Sequence, residues 1–176
     1  MEPIILRNNR WRCDHGWDID LDDGSSNFRI ENNLCLKGGI KFREGFLRWL
    51  LNNIMFNNSF HPHVWFRESR DEVRRNICST GYRPIGMPKV WGKEVDFNLF
   101  VDAKGLKQAQ ALGLDLHSLA GDPKFINPAQ GDFRVGADSP ALKLGFQNFA
   151  MDQFGVVNPR LKAIARTPKI DLPKVN

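Results

Sequence analysis

An asparagine followed by an apolar residue recurs along the chain as "NNRW", "NNLC", "NNIM", "RNIC" and "FNLF", placing Asn9, Asn33, Asn53, Asn76 and Asn98 at steps of 24, 20, 23 and 22 residues. A repeat of this size marks a solenoid, in which each unit buries its apolar face only by stacking on its neighbours. Asparagine suits the repeat for a physical reason. A turn leaves backbone groups unpaired, and an inward amide both donates to and accepts from the coils beside it.

A second ladder keeps pace with the first. Aligning "DIDLDDGS" (18–25), "GIKFREGF" (39–46) and "HVWFRESR" (63–70) stacks Ile19, Ile40 and Val64, and likewise Leu21, Phe42 and Phe66. Residues two apart on a strand share a face, so these pairs predict the inward side of one short strand per coil. Two strand ladders per coil, with no helical period between them, predict an all-β chain folded as a right-handed parallel β-helix. A leucine-rich repeat needs a leucine consensus that the sequence lacks.

From residue 102 the pattern changes. "AKGLKQAQALGLDLHS" reads as helix or loop, and "AGDPKFINPAQGDFRVGADSPALKLGF" as extended pieces between Asp-Pro, Asn-Pro and Ser-Pro turns. The organisation expected is β-helix coils with the functional site over 1–101, closing coils and a cap over 102–156, and an extended tail over 157–176. The cap covers the last coil, whose bare edge would otherwise pair with other chains. The chain starts almost inside a coil, so further coils are expected upstream.

A chain of 176 residues, 41% hydrophobic, has the size of one domain with a buried core. "MEPIILRNNR" lacks the apolar run of a secretory leader, and no apolar run reaches the ~18 residues of a membrane span. The chain reads as soluble, without membrane contact: cytoplasmic as given, or secreted or periplasmic if a leader has been lost. The net charge of +5 comes from scattered Lys and Arg with no aromatic ribonucleoprotein signature, so nucleic acid is not an expected partner. Cys13, Cys35 and Cys78 cannot all pair and match no zinc spacing, and they read as small packing residues.

Within this basic chain, Asp18, Asp20, Asp22 and Asp23 crowd into one segment. With Ile19 and Leu21 inward, Asp18, Asp20 and Asp22 are expected to project outward. The next coil sets Lys41 and Arg43 about 4.8 Å away, and the coil after it adds Trp65 and Arg67. A plain cross-strand ion-pair ladder is one reading of this face. The other starts from "CDHGW" and "FHPHVW", which bring His15, Trp17, His61, His63 and Trp65 to the same side. Rings to stack on a pyranose, beside charged forks for its hydroxyls, make up a sugar site.

Glu44 completes the candidate chemistry. It falls one coil from Asp23 and one residue beyond the register of Asp22, a Cα offset of roughly 6 Å. Retaining glycosidases hold two carboxyl groups ~5–5.5 Å apart, one ionised as nucleophile and one protonated as acid. Lys41 or Arg43 would keep an aspartate ionised, while burial and a like charge would keep Glu44 protonated. Strict alternation turns Glu44 to the opposite face, so the pairing requires a bulge or turn at Glu44-Gly45.

The run from "DHGWDIDLDD" to "FHPHVWF" resembles the core of parallel β-helix glycoside hydrolases, closest to the β-xylosidase-like family 120. "GDPKFINPAQGDFRVGADSPALKLGF" is similar to a closing segment of bacterial β-helix carbohydrate enzymes. The resemblance spans roughly residues 8 to 156. It implies a retaining enzyme of xylan degradation, without cofactor or catalytic metal, acting on an oligosaccharide or polysaccharide. Its acid/base would be Glu44 and its nucleophile Asp20 or Asp22. The chain is shorter than that family's pattern, with no counterpart for its N-terminal coils or its β-sandwich domain.

Two other functions fit the residues. In a polysaccharide lyase, Asp18, Asp20 and Asp22 would bind Ca²⁺ and Lys41 or Arg43 would act as base. In a non-catalytic carbohydrate-binding β-helix, the same face would hold sugar without cleaving it.

Overall fold

The computed structural model describes residues 2–86, 91–153, 155–156 and 158–164. The chain winds into a solenoid of parallel strands, as the repeat predicts. Each of the first three coils carries three strands rather than the two expected. Sheet I stacks Ile4–Arg7, Phe28–Glu31, Arg48–Leu51, Glu72–Arg74 and Glu94–Asp96. Sheet II stacks Arg10–Trp11, Leu34–Cys35, Ile54–Met55, Ile77–Cys78, Leu99–Phe100 and Leu119–Ala120. Sheet III, shorter, stacks Ile19–Leu21, Ile40–Phe42 and Phe60–Pro62.

The asparagine doublets build the turn from sheet I to sheet II. The first member takes a left-handed conformation, at φ 58° in Asn8, 55° in Asn32 and 58° in Asn52. Asparagine tolerates that region better than most residues. The second member points inward and forms the ladder: the backbone N and Nδ2 of Asn33 both donate to Asn53 Oδ1 at 3.0 Å. Asn53 donates likewise to Asn76, and Asn76 to Asn98. Ser118 Oγ and Asp115 Oδ1 take the two donors of Asn98 and end the ladder.

Apolar columns run through the interior. Ile30, Leu50, Val73 and Val95 stack in register on sheet I, and Cys35, Met55, Cys78 and Phe100 on sheet II. Cys35 and Cys78 are free and buried in these columns, and Cys13 is free and half-buried. Sheet II is apolar on its outer side too, where Leu34, Ile54, Ile77 and Leu99 meet Phe133, Val135, Ala141, Leu144 and Phe146.

The C-terminal part therefore divides its work. Helix α1 (Ala103–Ala111), capped by Asp102, closes the solenoid by sending Leu106 and Ala109 into the interior cluster. It approaches closely enough that a Cβ on Gly105 would lie 2.4 Å from the Gly81 Cα. The antiparallel pair Phe125–Asn127 and Asp132–Val135 lies instead along the side, over sheet II, and not over the last coil as expected. Of the tail, Pro159–Ile164 is helical rather than extended, and residues 165–176 lie outside the described ones. No helix among the described residues is long and apolar enough to cross a membrane.

Candidate functional site

Sheet III carries the acidic strand and organises its outer face into rows. Asp20, Lys41 and His61 stand in register across the three coils. One step along, Arg43 N donates to Leu21 O and His63 N to Phe42 O, each at 2.8 Å, which aligns Asp22, Arg43 and His63. Each row thus runs aspartate, base, histidine. A fourth coil extends the first row, because Arg83 N donates to Phe60 O at 3.0 Å and so sets Arg83 beside His61.

Lys41 is the centre of the face. Only 4% exposed, its Nζ lies 2.8 Å from Asp20 Oδ1 and 3.1 Å from Asp22 Oδ1. It also sits 4.1 Å from the centre of the Trp17 ring, a cation–π contact. Burial pulls the Lys41 pKa down, but the hydrogen bonds to Asp20 and Asp22 outweigh it and leave a net rise. The Lys41 hydrogen bond in turn holds Asp22 below the usual carboxylate range, with Arg43 adding to it. A buried ammonium is tolerated here because two carboxylates and an aromatic face replace its water.

The histidines are neutral neighbours. Burial foremost, then Arg83, His63 and Lys41, pushes the His61 pKa down to about 4. Its Nε2 lies 2.8 Å from Asn58 Oδ1. Burial and Lys41 lower His63 as well. Trp17 meets both imidazoles edge-on, at 6.0 and 5.5 Å between ring centres, and roofs the row over Lys41.

Arg43 ties the acidic strand to Glu44. Its Nη1 lies 3.4 Å from Asp22 and 3.3 Å from Asp23, and its Nε lies 3.0 Å from Glu44 Oε2. The difficulty of alternation disappears because the strand ends at Phe42 and the chain then turns the corner. Gly45 makes that turn at φ 153°, where a Cβ would fall 2.4 Å from Ser25 O. Behind the corner, fully buried Arg48 donates to Arg43 O and pairs with buried Asp71, its Nη2 2.6 Å from Asp71 Oδ2. Arg48 also lies over the Phe42 ring at 4.6 Å. The ion pair inside the solenoid thus anchors the backbone of Arg43.

Several expected site residues stand elsewhere. Asp18 faces inward: its Oδ1 accepts Cys13 N and its Oδ2 accepts Lys37 N, Gly38 N and Gly39 N. Burial raises the Asp18 pKa, offset in part by those four donors. The coil-three register is shifted by four residues, so Phe60 and Pro62, not Val64 and Phe66, stack on Ile40 and Phe42. As a result Trp65 is 1% exposed, packed inside against Phe42 and Phe60 and donating to Asp71. Arg67 is exposed in a turn off the rows, and His15 is exposed in the loop before Trp17. Glu44 meets a guanidinium rather than the like charge its expected acid role called for.

Sequence reasoning missed Arg83 and Asn58. Asn58 holds His61 but precedes its strand in an ordinary-looking "NNS", and Arg83 lies in "TGYRPIG", which has no strand signal. No group of three or more His, Cys, Asp or Glu among the described residues is arranged to hold a metal ion. A cavity of about 680 Å³ bordered by Arg10, Asp132, Arg134 and Phe149 involves none of the row residues. Comparison with family models, with curated proteins and with solved structures finds no match to this chain.

Proposed function

We propose that the outer face of sheet III is the cleft of a retaining glycoside hydrolase acting on a β-xyloside-type glycan, with Asp22 as nucleophile and Glu44 as acid/base. The observation that carries this reading is the Arg43 guanidinium held between Asp22 and Glu44. Contact with one guanidinium brings the two carboxylates near enough to approach the ~5–5.5 Å of a retaining pair. Asp22 is preferred to Asp20 because it contacts both Lys41 and Arg43, and the two cations keep it anionic for attack.

In the first step Glu44 gives a proton to the glycosidic oxygen as Asp22 bonds to the anomeric carbon and the leaving alcohol departs. In the second, Glu44 takes a proton from water, whose oxygen displaces Asp22 and regenerates both groups. Before the first step Arg43 must release Glu44, which then takes a proton from solvent, while Asp22 and Asp23 retain the guanidinium. The lyase reading loses support because Asp18 is spent on backbone donors and Lys41 already fills the gap between Asp20 and Asp22. The binding-only reading draws on the same Arg43–Glu44 pair, which suits an ionised glutamate.

Nitrophenol release from a panel headed by the nitrophenyl β-xyloside tests the proposal. Turnover by the parent, lost in Asp22→Asn and reduced in Glu44→Gln, supports it. A folded parent that releases nothing from any glycoside refutes it.

A further inference from the structure

Beside Glu44 the corner of the solenoid exposes two aromatic rings. Phe46 and Phe66, on successive coils, stack at 5.3 Å between ring centres with 22° between planes. They are 45% and 41% exposed, whereas Phe42, Phe60, Phe100 and Phe133 are fully buried. The interior does not need them, since Phe42, Phe60 and Trp65 fill the core of the same coils. A pair of rings left in water at this corner is an unspent apolar surface.

The stack stops at coil two for a visible reason. Coil one has Gly24, Ser25 and Ser26 at its corner, and the Ser26 hydroxyl accepts the Phe46 backbone N–H at 3.0 Å. Among the described residues no third ring continues the column, and on coil one the small residues of the corner follow directly on Asp22 and Asp23. Phe46 is two residues from Glu44, a Cα distance of roughly 6–7 Å. Gly45 between them passes so close to Ser25 O that a Cβ there would lie 2.4 Å from it, which leaves the backbone joining ring and carboxylate no room for a larger residue.

We propose that Phe46, backed by Phe66, is the stacking platform for the sugar ring on the leaving-group side of the cleaved bond. This rests on the glycosidase reading above, in which Glu44 protonates the leaving oxygen. The residue that touches that oxygen must lie beside the ring that departs, and Phe46 is the exposed aromatic next to it. Phenyl rings bind the C–H face of a pyranose and offer nothing to an anion, and Arg43, the cation beside Glu44, is already engaged by Asp22, Asp23 and Glu44. The ligand class is therefore a neutral oligosaccharide, not a uronate-bearing one.

The experiment is calorimetric binding of neutral oligosaccharides (xylo-, cello-, manno- and arabino-tetraose) and of tetragalacturonate to the parent, Phe46→Ala and Phe46→Trp. Thermal melts identify variants that stay folded, and Phe66→Ala serves as the second probe of the stack if Phe46→Ala does not. The expected result is binding of at least one neutral tetraose, weakened about tenfold in the alanine variant and kept or tightened in Phe46→Trp. Equal affinity in parent and alanine variant, or tighter binding of tetragalacturonate, overturns the platform and leaves the glycosidase reading standing. Nitrophenyl glycoside turnover without binding of any neutral tetraose also overturns the platform alone; absence of both turnover and binding overturns the two together.

Discussion

Replacing Asn53 by alanine tests the ladder where it is fully buried. Asn53 Oδ1 accepts the backbone N and Nδ2 of Asn33 at 3.0 Å, and its Nδ2 reaches Ile30 O, Leu51 O and Asn76 Oδ1 at 3.0, 3.1 and 3.1 Å. Alanine strands the Asn33 N–H without an acceptor, at about 1–3 kcal/mol, and leaves two carbonyls short of a donor at about 1 kcal/mol each. The expected loss is therefore about 3–5 kcal/mol, a large share of the ~5–15 kcal/mol that holds a domain folded. Asn9 begins the ladder in a half-exposed position where water can replace the amide, so Asn9→Ala should cost about 1 kcal/mol or less. Urea unfolding followed by circular dichroism measures both, with an unchanged slope showing that only stability has moved. A cost below 1 kcal/mol for Asn53→Ala, or equal costs at the two positions, would falsify the claim that the ladder holds the coils together.

Two further perturbations follow from buried charge. Asp71→Ala strands the Arg48 guanidinium inside the solenoid and should destabilise by about 3–5 kcal/mol; a melting temperature within a degree or two of the parent would count against the anchoring role of the pair. His61 and Asp115 should bend the pH profile of stability in opposite senses. His61 takes its proton near 6.5 when unfolded but only near 4 when folded, so its contribution to stability falls as pH drops between those values, by about 3 kcal/mol in all. Burial foremost raises Asp115 from 3.8 to about 6, so the unfolded chain ionises first and this group's contribution falls as pH rises over that window, again by about 3 kcal/mol. Relative to the parent, His61→Gln should gain stability on acidification from 6.5 to 4, and Asp115→Asn should gain it on going from pH 4 to 6. Thermal melts across pH 4–7 that run parallel for all three proteins would contradict both assignments.

The sequence carries the winding because the ladder asparagines have to repeat: each amide is a partner of the next. The doublets even encode the turn, with the left-handed residue first and the ladder residue second. Sheet III was legible over two coils and misread on the third, and the reason is Pro62. A proline within a strand argues against the strand, which favoured aligning "HVWF" with "GIKF" over "FHP". In the fold Pro62 directs its carbonyl to Ile85 N on coil four, so its missing N–H faces away from Phe42 and breaks no bond to coil two. That shift of four residues moved Trp65 into the core and put His61 and His63 in the rows. Asp18 was misjudged because period two says nothing about a residue just before a strand, where four backbone donors drew its carboxylate in. The stack of Phe46 on Phe66 escaped notice because the shifted register had assigned Phe66 to the interior.

The most direct measurement of the proposed chemistry is labelling with a 2-fluoro-xyloside bearing a good leaving group, followed by mass spectrometry of the intact chain and its peptides. Fluorine slows breakdown of a glycosyl-enzyme more than its formation in such a double displacement, so the intermediate accumulates. The account predicts one xylosyl adduct per chain, on the peptide containing residues 18–25 and at Asp22, and none in Asp22→Asn. Turnover of the xyloside without an adduct, or an adduct on a residue outside the rows of sheet III, would contradict it.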